Sequence, residues 1–139
     1  MGAGSCIFCQ IVEGKIPSAK LYEDDLVISF LDINPINPGH SLVVPKKHAA
    51  TIFDIDDDVL AKCAVVAARV ARAIRSATGC EGLNVLQNNF RSAGQLIDHF
   101  HIHLIPRYEG DGFLTSWPGT PYPEGQMEEM KNKIVAHLK

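Results

Sequence analysis

Apolar residues recur with a helical period in the middle of the chain. They follow one another at three- or four-residue steps: Val59, Cys63, Val66, Val70 and Ile74. This spacing places them on one face of an α-helix. Acidic residues 56–58 precede the run and Gly79 follows it, so the pattern predicts a long helix that begins near Asp56 and stops at Gly79.

Five shorter segments have the composition of β-strands and are bounded by turn-forming residues. They cover residues 20–23, 26–31, 41–45, 82–88 and 99–108. A short helical turn precedes them at "CIFCQIV", and residues 127–138 can form a terminal amphipathic helix. Because most connections are of hairpin length, we expect an antiparallel sheet and the α+β class.

Length and composition indicate one globular domain, with 139 residues of which 46% are hydrophobic. We place its core at residues 6–117 and a tail with a helix at 118–139. No stretch approaches the roughly 20 apolar residues of a membrane span, and the N-terminus does not resemble a signal peptide. "MGAGSC" fits the loose pattern of glycine-initiated myristoylation, but we favour a short flexible start.

Charge and cysteine content narrow the class of protein further. The net charge of −3 argues against nucleic acid as a partner, and we expect no membrane partner. The four cysteines do not form the pattern of a disulfide framework. We therefore predict a cytoplasmic protein.

Three histidines alternate with apolar residues in "HFHIHLIPR", residues 99–107. In a strand His99, His101 and His103 share one face, and Phe100 and Ile102 point to the core on the other. A polar face towards water would explain one such histidine better than three. A single metal site for all three is disfavoured, because the Cα atoms of His99 and His103 would lie about 13 Å apart. We favour nucleophilic catalysis at a phosphoryl centre, since a neutral imidazole is a good nucleophile and its neighbours supply donors.

Four stretches together resemble the histidine triad (HIT) family of nucleotide hydrolases and transferases. They are "GHSLVVPKKH" (39–48), "LNVLQNN" (83–89), "AGQ" (93–95) and "HFHIHLIPR" (99–107). The resemblance runs from about residue 6 to residue 117. It implies a five-stranded antiparallel sheet with one long and one short helix, and a homodimer in which the sheet is continuous.

The resemblance also implies catalytic roles for four histidines. His101 is the nucleophile that attacks the α-phosphorus of a nucleotide, and the main-chain carbonyl of His99 holds its other ring nitrogen as a donor. His103 donates to the phosphate oxygens, and His40 matches the family's fourth histidine beside the phosphate.

Further positions match the family's nucleotide site. Asp32 resembles the acid that binds the ribose hydroxyls, and an apolar slot for the base is implied at Ile7, Phe8, Ile11, Phe30 and Ile33. Asn88, Gly94 and Gln95 match positions beside the phosphate, where Gly94 permits close approach and Gln95 offers an amide. Leu96 stands where family members often carry Ser or Thr, which affects the preference for the leaving group.

The C-x-x-C pair Cys6 and Cys9 is half of a tetrahedral zinc site. Zinc-bearing relatives suggest His48 and His99 as the other two ligands, which would make the zinc structural. A redox pair and plain packing cysteines are the alternatives.

The resulting hypothesis is a hydrolase that cleaves a nucleoside phosphoramidate or adenylate of a purine nucleotide to the monophosphate. The alternatives are a dinucleoside polyphosphate hydrolase and a zinc-stabilised nucleotide-binding module with little turnover. We also expect Trp117, in the Pro- and Gly-rich segment after Arg107, to lie near the nucleotide pocket of the second subunit; the alternative is that it folds back on its own domain.

Overall fold

A computed structural model of the chain describes residues 5–113 and 116–139. The N-terminal glycine pattern therefore lies largely outside the described residues. The strands are β1 (Lys20–Glu23), β2 (Val27–Leu31), β3 (Ser41–Pro45), β4 (Gly82–Gln87) and β5 (Ile102–Arg107), and the helices are α1 (Ile7–Val12), α2 (Asp57–Thr78) and α3 (Gln126–His137). A short 3₁₀ turn, Arg91–Ala93, lies between β4 and β5.

The strands form one antiparallel sheet in the order β1-β2-β3-β5-β4. The predicted α+β class is confirmed. β5 lies between β3 and β4 because the chain leaves the sheet after β3, forms α2, and returns through the edge strand β4. This order places the histidine-bearing strand inside the sheet, with a neighbour on each side.

Helix α2 forms where the apolar period predicts it. Its buried residues are Val59, Cys63, Val66, Ala67, Val70 and Ile74. Gly79 ends the helix with a φ of 67°, a left-handed conformation that glycine adopts without strain. Asp56 stands at the N-cap, but its carboxylate pairs with Lys47 instead of a helix N–H group.

Two strands begin later than predicted. β2 begins at Val27 because the Asp24 carboxylate accepts hydrogen bonds from the N–H groups of Leu26 and Val27 and closes a tight turn. β5 begins at Ile102, where its pairing with β3 begins. The preceding Phe100 N–H donates to the Ala49 carbonyl at 2.7 Å, so residues 99–101 lie against a loop and not in the ladder.

Two apolar clusters cover the two faces of the sheet. α2 packs on one face against Val27, Val43, Phe100, Ile102 and Leu104. α1 covers part of the other face, where Phe8 lies in a cluster with Ile28, Phe30, Leu42 and Val44. Because side chains alternate along β5, its histidines face the α1 side of the sheet.

The C-terminal helix α3 agrees closely with its predicted range, but none of its residues is buried. No helix in the described part of the chain is long and apolar enough to cross a membrane.

Candidate active site and metal centre

The three histidines share one face of the sheet, where His99 and His101 are buried and His103 is half-buried. His99 is fully buried and His101 is 6% exposed, while Phe100, Ile102 and Leu104 pack on the opposite side under α2. The polar-surface alternative is therefore wrong. Histidines this deep in a protein need defined hydrogen-bond partners, and those partners fix the state of each ring.

His101 has one ring nitrogen held by the backbone. Its Nδ1–H donates to the His99 carbonyl at 2.7 Å, as predicted, so Nε2 carries the lone pair of the neutral ring. The Phe8 ring lies edge-on to the imidazole, with 5.1 Å between ring centroids. Burial lowers the pKa of His101, opposed by the hydrogen bond to His99 and the charge of Asp32, so the ring is neutral and nucleophilic at pH 7.

His40 determines which ring nitrogen of neutral His103 carries the proton. The Ile36 N–H donates to His40 Nδ1 at 3.0 Å, which leaves the His40 proton on Nε2. His40 Nε2 lies 2.9 Å from His103 Nδ1 and donates to it. Neutral His103 therefore carries its own proton on Nε2 and can donate it to a ligand.

Asp32 directly follows β2 and lies beside these two histidines. Its Oδ2 lies 3.5 Å from His40 Nε2 and its Oδ1 accepts from the Asn34 N–H at 2.8 Å. Asp32, His40 and His103 also lie close enough to share a cation. His40 offers such an ion no lone pair, however, because one nitrogen donates and the other already accepts. This group is better suited to a polar ligand.

Asn37 holds the loop that carries His40. Its carbonyl accepts from the His40 N–H at 3.0 Å. Its side-chain amide donates to the Pro106 carbonyl at 2.8 Å and to Asp111 at 3.0 Å. Sequence reasoning missed Asn37, as well as the Ile36 N–H, although the polar "INPINPGH" loop could have drawn attention to the former.

The predicted apolar slot is only partly assembled. Phe8 and Phe30 are buried with ring centroids 5.7 Å apart, and Ile11 packs against their cluster. Ile7 is 42% exposed and Ile33 is 89% exposed. The two exposed isoleucines are therefore available to a ligand, while the two rings also belong to the core.

The loop after β4 carries three of the predicted phosphate-site residues, Asn88, Gly94 and Leu96. Gly94 has a φ of 90°, and a Cβ built there would lie 3.6 Å from the Asn88 amide nitrogen. Leu96 is 74% exposed. That distance is an ordinary van der Waals contact, so the positive φ is what favours glycine at this position.

Gln95 has a different role from the predicted one. Its side chain is 2% exposed; Oε1 accepts from the Phe90 N–H and Nε2 donates to the Ala50 carbonyl, both at 2.7 Å. The amide joins two loops and is not presented to a phosphate. Sequence reasoning could not distinguish these roles because an amide serves backbone and ligand equally well.

Cys6, Cys9, His48 and His99 converge on one point. Their ligand atoms all lie within 4.8 Å of one another. His99 Nδ1 is 3.2 Å from Cys6 Sγ, 3.6 Å from Cys9 Sγ and 3.2 Å from His48 Nδ1, and Cys9 Sγ is 3.3 Å from His48 Nδ1. Ligand atoms of a tetrahedral zinc lie about 3.3–3.8 Å apart. These four residues could therefore hold a metal ion.

The surroundings of this cluster also suit a metal. His99 Nε2–H donates to the Pro45 carbonyl at 2.8 Å, which directs the lone pair of Nδ1 at the cluster, as in metal-binding histidines generally. The Cys9 N–H donates to Cys6 Sγ at 3.4 Å. Burial and the neighbouring Cys6 raise the pKa of Cys9 to about 11, a preference that a bound cation would reverse.

Comparison with known proteins identifies close relatives. The HIT domain matches residues 13–110. Protein hit of Bacillus subtilis is 44% identical and the match covers 98% of this chain and 96% of that protein. The adenosine 5'-monophosphoramidase hnt1 of Schizosaccharomyces pombe is 42% identical, with 97% and 99% covered. The adenylylsulfatase HINT3 of Arabidopsis thaliana is 45% identical over 76% of this chain and 54% of that protein.

Solved structures give the same result. A HIT family member from Bacillus subtilis superposes with a TM-score of 0.91 at 40% identity, covering 97% of this chain and 98% of that one. A Zn-bound histidine triad family protein from Mycobacterium smegmatis has a TM-score of 0.76 at 34% identity, covering 97% and 96%.

Proposed function

This chain belongs to the HIT domain family of hydrolases, and we propose that it cleaves a purine nucleoside phosphoramidate or adenylate at the α-phosphate through a nucleotidyl–His101 intermediate. The observation that carries the proposal is the state of His101. Its Nδ1–H is bonded to the His99 carbonyl at 2.7 Å, so Nε2 is a lone-pair nitrogen inside a cluster of histidine donors. Relatives named adenosine 5'-monophosphoramidase and adenylylsulfatase support the substrate class.

The proposed reaction has two displacements at phosphorus. In the first, His101 Nε2 bonds to the α-phosphorus and the bond to the leaving group breaks; an amine leaves with the electron pair and takes up one proton. In the second, water adds to phosphorus and loses one proton, and the Nε2–P bond breaks. The nucleoside monophosphate is released and His101 is neutral again.

The histidines around His101 serve the phosphate in this scheme. His103 Nε2–H donates to a phosphate oxygen, and His40 acts as a positioning residue because it keeps that proton on Nε2 through its 2.9 Å contact with His103 Nδ1. The Asn88 amide and the backbone at Gly94 and Leu96 complete the proposed phosphate site. Gln95 contributes by holding the loop.

The nucleoside is proposed to lie on the α1 side of the sheet, beyond β2. Asp32 would accept from the ribose hydroxyls through Oδ2, which already faces the site. The base would lie against the exposed isoleucines Ile7 and Ile33, with Ile11, Phe8 and Phe30 beneath them.

We propose that zinc is the metal held by Cys6, Cys9, His48 and His99. The spacing of the four ligand atoms and the Zn-bound relative from Mycobacterium smegmatis support this assignment. Such an ion would be structural, because it would tie α1 to the segment that leads into β5. We also propose a cytoplasmic location; all four cysteines are free thiols, which suits a reducing compartment.

Comparison of two substrates tests the proposed function. Purified protein should turn over an adenosine 5'-phosphoramidate with a higher kcat/KM than a diadenosine polyphosphate, and acid quenching should trap a nucleotidyl adduct on His101. A higher kcat/KM for the polyphosphate would favour the dinucleoside polyphosphate hydrolase instead. Tight nucleotide binding without turnover would leave only a binding module.

The pH dependence of kcat/KM should show that His103 stays neutral well below pH 6.5. Burial, followed by the neighbouring His101 and His40, lowers the pKa of His103 to about 4, with Asp32 opposing. Because His103 must accept from His40 through Nδ1, protonation of His103 would disrupt the site. We expect the loss of kcat/KM that follows from protonation of His103 to come as pH approaches 4 and not near pH 6.5.

The lowered pKa of His103 should also make the stability of the fold depend on pH, and this dependence is the control for the kinetic measurement. An unfolded histidine takes up a proton near pH 6.5 whereas folded His103 does so near pH 4, so stability is complete above pH 6.5 and decreases towards pH 4. The melting temperature in each buffer separates unfolding from loss of chemistry. Loss of half of kcat/KM at pH 6.5 in folded protein would contradict the assignment.

We propose that the chain forms a homodimer in which Trp117 approaches the second subunit's nucleotide pocket. Trp117 is 92% exposed in the single chain, which favours a contact with a partner over packing on its own domain. β4 is an edge of the sheet with Val85 63% exposed, and an unpaired edge can extend a sheet across two copies.

Light scattering should give twice the mass of one chain at micromolar concentration. Trp117→Ala should change the relative kcat/KM of substrates with different leaving groups by more than it changes nucleotide affinity. Tyr122→Ala, at an exposed aromatic residue of the same tail, is the matched control. A fully active monomer would refute this arrangement.

A further inference from the structure

Two exposed phenylalanine rings stack on each other beside the site. Phe53 is 77% exposed and Phe90 is 58% exposed, and their rings lie at 17° to each other with centroids 5.7 Å apart. Phe53 precedes α2 and Phe90 follows β4, so neither ring belongs to the core. We call this pair the aromatic platform.

The backbone at Phe90 is held in a costly conformation. Its φ is 69° and its ψ is 161°, a region that residues with a Cβ avoid and glycine tolerates. The buried Gln95 amide holds it there, because Oε1 accepts from the Phe90 N–H and Nε2 donates to the Ala50 carbonyl, both at 2.7 Å. One amide thus connects the two loops that carry the rings. Strained positions of this kind are concentrated at functional sites.

The loops of the platform adjoin His101. The Ala49 carbonyl accepts from the Phe100 N–H at 2.7 Å, so the segment leading to Phe53 lies against the residue before His101. On the other side, Leu86 pairs with His103. The last pair of this ladder joins Gln87 to Ile102, the residue after His101, and Phe90 follows Gln87 by three residues.

The platform and Asp32 lie at opposite ends of the histidine row. The Asp32 N–H donates to the His40 carbonyl at 2.9 Å, which places Asp32 beside β3 at its first residues. Ser41 pairs with Leu104 and Val43 with Ile102, so this end of β3 lies beyond His103. The loops at 49–53 and 88–96 adjoin the other end, where β5 begins. If the nucleoside binds at Asp32, the leaving group, on the other side of the α-phosphorus, would lie at the end of the row that adjoins the platform.

We propose that the aromatic platform is the subsite for the leaving group, and that it favours leaving groups that carry a planar aromatic ring. The inference rests on the proposed function. Phenylalanine faces gain from offset or edge contact with another ring and offer no donor to a phosphate, so the platform favours an organic amine over a polyphosphate. The strain at Phe90 is offset by the contacts that hold its ring where the leaving group binds.

Two phosphoramidates with matched amines test the platform. Of the adenosine 5'-phosphoramidates of phenethylamine and of butylamine, only the first carries an aromatic ring on its leaving group. We expect wild-type protein to prefer the aromatic substrate by about three- to tenfold in kcat/KM, the value of one aromatic contact. Phe53→Ala and Phe90→Gly should each remove this preference, measured in each variant as the ratio of kcat/KM for the two substrates. Hydrolysis of the nucleotidyl–His101 intermediate should not depend on the amine, because the amine has already left.

Two controls distinguish the loss of an aromatic contact from a change in the stability of the fold. Phe90→Gly relieves the backbone strain and should not lower the melting temperature. Leu21→Ala, which shortens an exposed apolar residue on the distant edge strand β1, should keep the aromatic preference.

The outcomes distinguish this proposal from the proposed function. Both substrates should bind to His101→Ala protein with the same preference for the aromatic one, so the platform can be measured without turnover. Absence of turnover in wild-type protein would contradict the proposed function alone. A preference that survives in both platform variants would overturn the platform. If Phe53→Ala dissociates the dimer and leaves the preference intact, the rings are a contact between copies and the proposal is wrong.

Discussion

His101→Ala should reduce kcat for an adenosine phosphoramidate by at least about a hundredfold while nucleotide affinity stays within about tenfold. The variant removes the nitrogen that is proposed to bond to phosphorus. The proposed phosphate donors His103 and Asn88 remain in this variant, so the affinity for the ground-state phosphate should be largely kept. Steady-state kinetics and calorimetric titration of the monophosphate separate these two quantities.

Two further variants make this test specific. His101→Gly opens space for a free imidazole, which should restore part of the turnover if a ring nitrogen is the missing group. His137→Ala, at an exposed histidine of α3, should keep full activity. More than a few per cent of wild-type kcat in folded His101→Ala protein would refute the nucleophile assignment.

Cys9→Ser should remove the metal and lower the melting temperature by about 10 °C or more. Wild-type protein after mild dialysis should contain close to one equivalent of zinc by elemental analysis. Serine is a poor zinc ligand, and the three remaining groups would be left buried around an incomplete site. Metal loss should also lower kcat, because His99 is both a proposed ligand and the residue whose carbonyl holds the His101 ring at 2.7 Å.

Cys80→Ser is the matched control for metal loss. Cys80 is also buried, at 5% exposure, but lies outside the metal cluster, so this variant should keep its zinc whatever its packing cost. A metal-free preparation of wild-type protein with full stability and activity would contradict the zinc assignment. A disulfide between Cys6 and Cys9 in such a preparation would support the redox alternative.

The sequence predicted the elements well where a local period specifies them. The apolar steps from Val59 to Ile74 and the stop at Gly79 depend only on helix geometry, and alternation along 99–107 depends only on strand geometry. The ends of β2 and β5 were less predictable. They depend on the Asp24 carboxylate and on the Ala49 carbonyl, which are partners brought in by the fold.

The same distinction between local pattern and distant partners applies to the candidate site. Residue types and spacing, read beside a family resemblance, predicted a site at His101, His103 and His40 and another around Cys6 and Cys9, and the structure brings the members of each group together. Sequence does not specify which nitrogen of each ring carries the proton, because backbone groups from distant segments decide it. The Pro45 carbonyl directs His99, and the Ile36 N–H directs His40 and through it His103.

Only the tertiary structure decided the roles of Gln95 and Phe90. An amide can serve a ligand or a backbone, and the close approach of the Ala50 carbonyl assigns Gln95 to the backbone. Nothing local indicates that Phe90 adopts a φ of 69° or that Phe53, 37 positions earlier, stacks on it. Chain periodicity determines which face a residue occupies, whereas contacts between segments far apart in sequence determine what each polar group is bonded to and which rings remain in solvent.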